Sequence, residues 1–106
     1  MRNKYNAKKV KLDGFTFDSK AEARRYGELK LLQKAGKISE LYVHPRLSIH
    51  VYENKICNYF PDFQYWDKGA KKIIYEDVKG VKTPIYNLKK KLVRAIYGIE
   101  IREIKA

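Results

Sequence analysis

Tyr59-Phe60-Pro61-Asp62-Phe63-Gln64-Tyr65 and Ile73-Ile74-Tyr75-Glu76-Asp77-Val78-Lys79-Gly80 are two runs rich in aromatic and β-branched residues. Both read as strands, and both carry acids where a strand normally carries apolar side chains. Asp62 sits among aromatics. Asp77 and Lys79 are two apart, so on a strand they share one sheet face, and Glu76 points to the other. Pro61 has no N–H to give a ladder, which predicts an edge position or a bulge there. With that interruption, Ile56 to Trp66 is expected to form one strand. Asp67-Lys68-Gly69-Ala70-Lys71 joins it to a well-buried strand over Lys72 to Lys79.

Upstream, Val10 to Phe17 alternates around Asp13-Gly14, the signal of a short hairpin. Ser19 and Glu22 have capping-box spacing, and Gly36 is a stop signal, so a helix is expected from Ser19 to about Ala35. Tyr26, Leu29 and Leu32 give it a core stripe. Glu22 flanks that stripe, and its role is open. It is a cap, or it is an inward carboxylate, costly unless paired or metal-bound. Taken alone, the spacing favours the cap. Ile38 to Val43 and Leu47 to Tyr52 are expected strands, with Glu53-Asn54-Lys55 as a turn. Downstream, Thr83 and Pro84 mark a helix start and Gly98 its end. Ile85, Leu88, Leu92 and Ile96 fall on one face as its core stripe. Ile99 to Ile104 alternates as a last strand, and the helix before it is long enough for a right-handed parallel crossover.

The 106 residues suit one domain with a modest core. The first nine are polar and basic and read as a mobile arm, either touching nucleic acid or simply solvated. Twenty-four Lys and Arg against 12 Asp and Glu give a formal charge of +12, which favours a polyanionic partner. A basic ribosome-associated factor would share that charge. Cys57 is the single cysteine. It excludes an intrachain disulfide and paired-cysteine zinc sites and fits a reducing, cytoplasmic setting. No apolar run is long enough for a membrane span, and the N-terminus lacks the apolar core of a secretory signal.

Asp62, Asp77 and Lys79 form the chemical constellation. Two carboxylates brought together repel unless a cation lies between them. A hard divalent ion prefers carboxylate oxygen and keeps waters able to attack phosphate. A neighbouring lysine can hold the scissile phosphate or orient the water. Glu22 could complete the site from the first helix. Each element has a plain reading too: an exposed Asp62 beside Pro61, or a surface Asp77–Lys79 pair of little energetic weight. His44 is weighed as a general base, with a structural or phosphate-contacting role favoured. Most of the tyrosines are read as half-buried packing.

Taken in order, Glu22, Pro61-Asp62 and Asp77-Val78-Lys79 resemble the PD-(D/E)XK nuclease superfamily. Phe17-Asp18-Ser19-Lys20-Ala21-Glu22-Ala23 upstream of Glu76-Asp77-Val78-Lys79-Gly80, with Tyr97-Gly98-Ile99 downstream, is similar to its small phage-encoded endonucleases. Some superfamily members resemble Holliday junction resolvases. The resemblance runs from about Phe15 to Ile104. It implies an α/β, restriction-endonuclease-like αβββαβ core, in which a mixed sheet is flanked by two helices after a short N-terminal hairpin. It also implies that Asp62 and Asp77 ligate Mg2+ or Mn2+, that Glu22 contacts the metal directly or through water, and that Lys79 acts on water or phosphate. A further polar residue on the second helix would be Lys89, Lys90 or Tyr86.

The resulting expectation is a metal-dependent DNA endonuclease with no organic cofactor. So short a chain leaves little surface for reading sequence, which favours selectivity for branched DNA and action as a twofold homodimer. Arg24, Arg25, Lys89 and Lys90 are candidate DNA contacts, with Arg24 and Arg25 equally readable as solvated helix charges. The competing readings are an inert basic nucleic-acid-binding protein and a nicking or sequence-selective nuclease.

Overall fold

The computed structural model describes residues 8–106, so most of the expected basic arm lies outside the described residues. Strands β1 (Val10–Leu12) and β2 (Phe15–Phe17) form the N-terminal hairpin. Asp13 and Gly14 at its turn both have positive φ, 52° and 81°, the backbone that a tight two-residue hairpin demands and that Asp-Gly tolerates. Helix α1 (Lys20–Lys34) follows. Ser19 caps it, its hydroxyl accepting from the Glu22 N–H at 3.1 Å. Tyr26 and Leu29 are buried as expected, whereas Leu32 is exposed, and the third buried residue of α1 is Glu22.

A four-stranded sheet has the order β3 (Ile38–Val43), β6 (Phe63–Asp67), β7 (Lys72–Lys79), β8 (Ile101–Lys105). The first three are mutually antiparallel, and β8 runs parallel to β7 after helix α2 (Pro84–Tyr97). The sheet is therefore mixed, with a helical crossover between its parallel strands. A bulge in β3 between Ser39 and Tyr42 places Glu40 at positive φ, and the Gln33 side chain takes up the Leu41 N–H at 3.2 Å.

Strands β4 (Leu47–Val51) and β5 (Asn54–Tyr59) pair only with each other. The single strand expected over Ile56 to Trp66 is thus two strands in two sheets. Pro61 lies at the corner where the chain leaves the β4–β5 hairpin and enters the central sheet. The β4–β5 turn is also tighter than expected. Val51 pairs with Asn54, which leaves only Tyr52 and Glu53 in it.

Strand alternation divides the core. Phe63, Tyr65 and Ile74 pack with Phe17, Tyr26 and Leu29 on the α1 side. On the other side, Tyr75 and Ile101 pack with Ile49, Tyr59, Tyr86 and Val93, joining hairpin β4–β5 and α2. Of the expected apolar stripe of α2, only Leu92 packs against this cluster. Ile85 and Leu88 are 64% and 55% exposed, and Ile96 is also exposed, while Tyr86 and Val93 are buried. Tyr86 can replace an aliphatic residue there because its ring packs near Tyr59 and its hydroxyl donates to Glu103 at 2.7 Å.

Candidate metal centre

Four elements end at one rim of the sheet. Glu22 comes from the first turn of α1, Asp62 from the residue just before β6, Asp77 and Lys79 from the end of β7, and His44 from the residue after β3. The register makes this juxtaposition. Val43 pairs with Phe63 and Phe63 with Glu76. Just beyond the paired residues, the His44 N–H donates to the Asp62 carbonyl at 2.9 Å, and the Asp62 N–H donates to the Glu76 carbonyl at 3.0 Å. The Asp62 carboxylate then accepts the Val78 N–H at 2.7 Å. Asp62 is fixed from both sides by backbone, so its side chain has little freedom. Neither an exposed bulge nor a flexible loop describes it.

Glu22 is 8% exposed and Asp77 2% exposed. Glu22 does cap, in part: its carboxylate accepts from the Ser19 hydroxyl at 3.3 Å. The same carboxylate lies within hydrogen-bonding reach of Asp62, which in turn reaches Asp77. The two roles left open for Glu22 therefore coexist, because the first turn of α1 stands over the rim. Burial, followed by the Glu22 charge, pushes Asp62 up to about 7, although the Val78 N–H opposes this. Burial, followed by the Asp62 charge, pushes Asp77 up to about 7, against Tyr59 and Lys79, which favour its ionised form. Burial likewise raises Glu22 above the usual carboxylate range. Three carboxyls in a row, each resisting ionisation, form a site that needs protons or a cation.

The Lys79 ammonium stands 3.9 Å from the Asp77 carboxylate and 4.2 Å from the centre of the Tyr86 ring. It partly offsets the acids, and the ring holds it by a cation–π contact. The Tyr59 hydroxyl donates to the other Asp77 oxygen. The sequence reads Tyr59 as a base-stacking or half-buried packing ring, so this role is missed. Nothing local marks it, because the contact spans 18 residues. Of the three candidates on α2, Tyr86 is the one beside Lys79, whereas Lys90 pairs with Glu103 at 3.0 Å.

Glu76 and Asp77 part as alternation predicts. Glu76 is fully buried on the α1 face, in a two-pronged pair with Arg25 at 2.8 and 2.7 Å, and it accepts the Tyr65 hydroxyl. Arg25 donates its remaining nitrogen to Glu28 at 3.0 Å. Both readings of Arg25, solvated charge and DNA contact, are thereby corrected: its guanidinium is spent on a buried carboxylate. Arg24 is exposed, and Lys89 is half-buried.

The donors are of the kind a hard divalent cation takes: the Glu22 and Asp62 carboxylates lie close together, and Asp77 follows on the far side of Asp62, all short of positive charge. A cleft of about 620 Å³ lies elsewhere, at the start of β7 between Lys72, Tyr75, Arg94 and Ile99. It contains the single acid Glu100, and the carboxylate rim remains the chemically distinctive site.

Residues 2–105 match the model of a family described as "Protein of unknown function (DUF1064)". No curated protein and no solved structure matches the chain. Among the described residues, no helix is long and apolar enough to cross a membrane.

Proposed function

We propose that this chain, which belongs to the DUF1064 family, is a metal-dependent DNA endonuclease of the restriction-endonuclease-like kind, selective for branched DNA. One observation carries the reading: Glu22, Asp62 and Asp77 converge from three elements on one rim, with Asp62 between the other two acids and Lys79 beside Asp77. The element order α1–β3–β6–β7–α2–β8, with the β4–β5 hairpin inserted, supports the αβββαβ reading.

Glu22, Asp62 and Asp77 would hold Mg2+ or Mn2+. When bound, such an ion supplies an activated water and neutralises charge building on the phosphoryl group. Asp62, locked by the Val78 N–H, and Asp77, locked by the Tyr59 hydroxyl, present their oxygens without a reorganisation cost at the moment of reaction. Lys79, steered by Asp77 and the Tyr86 ring, donates to the scissile phosphate or orients the attacking water. The Arg25–Glu76 pair stiffens β7 from behind. A formal charge of +12 attracts the substrate.

The chain is further proposed to act as a homodimer. The outward apolar stripe Ile85, Leu88 and Ile96 supports a twofold contact through α2. Sedimentation velocity tests this: Leu88→Glu should shift a dimer to monomer.

The decisive experiment compares four-way junction, flap, nicked plasmid and linear duplex at equal concentration, in Mg2+ and in EDTA. Junction cleavage in Mg2+ alone is expected, with Asp77→Ala and Lys79→Ala binding DNA but not cutting. Cutting that persists in both variants sinks the assignment. Binding without Mg2+-dependent turnover would identify an inert nucleic-acid-binding protein, and preference for one duplex sequence would identify a sequence-selective nuclease.

A further inference from the structure

His44 lies outside the carboxylate set but beside it. One ligand atom each from Glu22, His44 and Asp62 lies within 4.8 Å of the other two. Among the described residues, the imidazole forms no hydrogen bond or ion pair with either acid. The ring is near enough to share a ligand with the carboxylates. Two donors on one transition-metal ion, each about 2.1 Å from it, can be at most about 4.2 Å apart. A closure of under about 1 Å would bring all three into that range.

Backbone and packing hold the ring in place. His44 has φ of 53°, a left-handed conformation rare for a non-glycine residue. Its N–H is tied to the Asp62 carbonyl at 2.9 Å, so His44 and Asp62 move as one unit. The ring lies 5.9 Å from Phe17, tilted by 55°, on the α1 side from which Glu22 also approaches. Its outer face is exposed, which leaves access for a hydrated ion.

We infer that His44 is a nitrogen ligand, completing with Glu22 and Asp62 a site that selects a first-row transition cation such as Mn2+ over Mg2+. The chemistry follows from donor type. Imidazole adds affinity for Mn2+ and later first-row ions, whereas Mg2+ prefers oxygen and keeps its waters. This inference rests on the proposed metal centre, but it concerns which ion that centre prefers.

The test measures metal binding rather than cutting. Protein stripped with EDTA and dialysed is titrated with MnCl2, following the free-ion paramagnetic resonance signal, and with MgCl2 by calorimetry. Wild type is compared with His44→Asn, which tolerates the left-handed backbone, and with His44→Ala. Far-UV circular dichroism in EDTA confirms folding. The wild type is expected to bind Mn2+ at least about 10-fold more tightly than Mg2+. Both variants should lose about 10-fold or more of Mn2+ affinity and less than about 3-fold of Mg2+ affinity. Unchanged Mn2+ affinity in the variants overturns the inference, and so does an equal loss for both ions, which marks His44 as merely structural. A parallel junction-cleavage assay separates the two claims. His44-dependent Mn2+ binding without cleavage upholds the ligand and removes the nuclease, and cleavage with His44-independent binding does the reverse.

Discussion

The two faces of β7 put neighbouring acids into opposite circumstances. Glu76 is buried against Arg25, with a guanidinium nitrogen for each of its oxygens and Tyr65 as a third donor. Asp77, one residue on, is buried against other acids, with Tyr59 as a direct donor and Lys79 only at 3.9 Å. A buried carboxylate with a bidentate cation is a structural part. A buried carboxylate among carboxylates is a vacancy for charge. Glu103 gives a third case on the Asp77 face of the sheet. Lys82, Tyr86 and Lys90 surround it and hold it down to about 2.

The contrast breaks most visibly at Arg25. Arg25→Ala leaves Glu76 charged and buried, so a loss of roughly 3–5 kcal/mol is expected in urea denaturation. A loss below about 1 kcal/mol would show that the pair is not what anchors α1 to the sheet. On the other face the sign reverses. Asp62→Asn and Asp77→Asn retain an oxygen acceptor for the Val78 N–H and the Tyr59 hydroxyl but remove a repelling charge. Each should stabilise the metal-free protein at pH 8 by about 0.5–2 kcal/mol, several degrees in thermal midpoint, while abolishing metal binding. Destabilisation by both would contradict the crowded-acid reading.

The pH profile sharpens the same point. Asp62 and Asp77 sit at about 7 when folded, against an ordinary value of 3.8. A raised acid favours the folded state while it is protonated. That contribution is complete below about pH 4 and is lost as pH rises through about 7. In EDTA, the thermal midpoint should therefore fall between pH 4 and pH 8. Saturating Mn2+ should restore it at the upper end, where the ion no longer competes with protons. A midpoint that rises over this range would exclude the arrangement.

The smallest effect belongs to Glu103. Its lowered value stabilises the fold above the ordinary glutamate range, and that stability is lost as pH falls towards about 2. Lys82 is half-exposed and Lys90 partly so, so Glu103→Gln should cost under about 1 kcal/mol at pH 7, and less in high salt.

Much of this was legible in local sequence. Ser19, Thr83-Pro84 and Gly98 set helix ends because capping acts within one turn. Asp13-Gly14 set a turn. Strand alternation placed Asp77 with Lys79 and opposite Glu76, because a strand's period is two. Partners distant along the chain were not legible. The Arg25–Glu76 pair spans 51 residues, and either residue alone reads as an ordinary charge. His44 meets Asp62 only because β3 and β6 pair in one register, and a one-residue slip would have carried its side chain to the other face.

The sequence by itself determined where backbone begins, turns and ends, and which acids share a strand face, since those depend on neighbours within a few residues. Tertiary structure alone decided which surfaces are covered. It divided Ile56 to Trp66 between two sheets at Pro61. It turned Ile85 and Leu88 outward and Tyr86 inward, and gave Glu76 its arginine while leaving Asp62 and Asp77 to each other. Burial depends on what packs opposite, and the choice between a structural acid and a chemical one is made by the cation that does or does not arrive from another part of the chain.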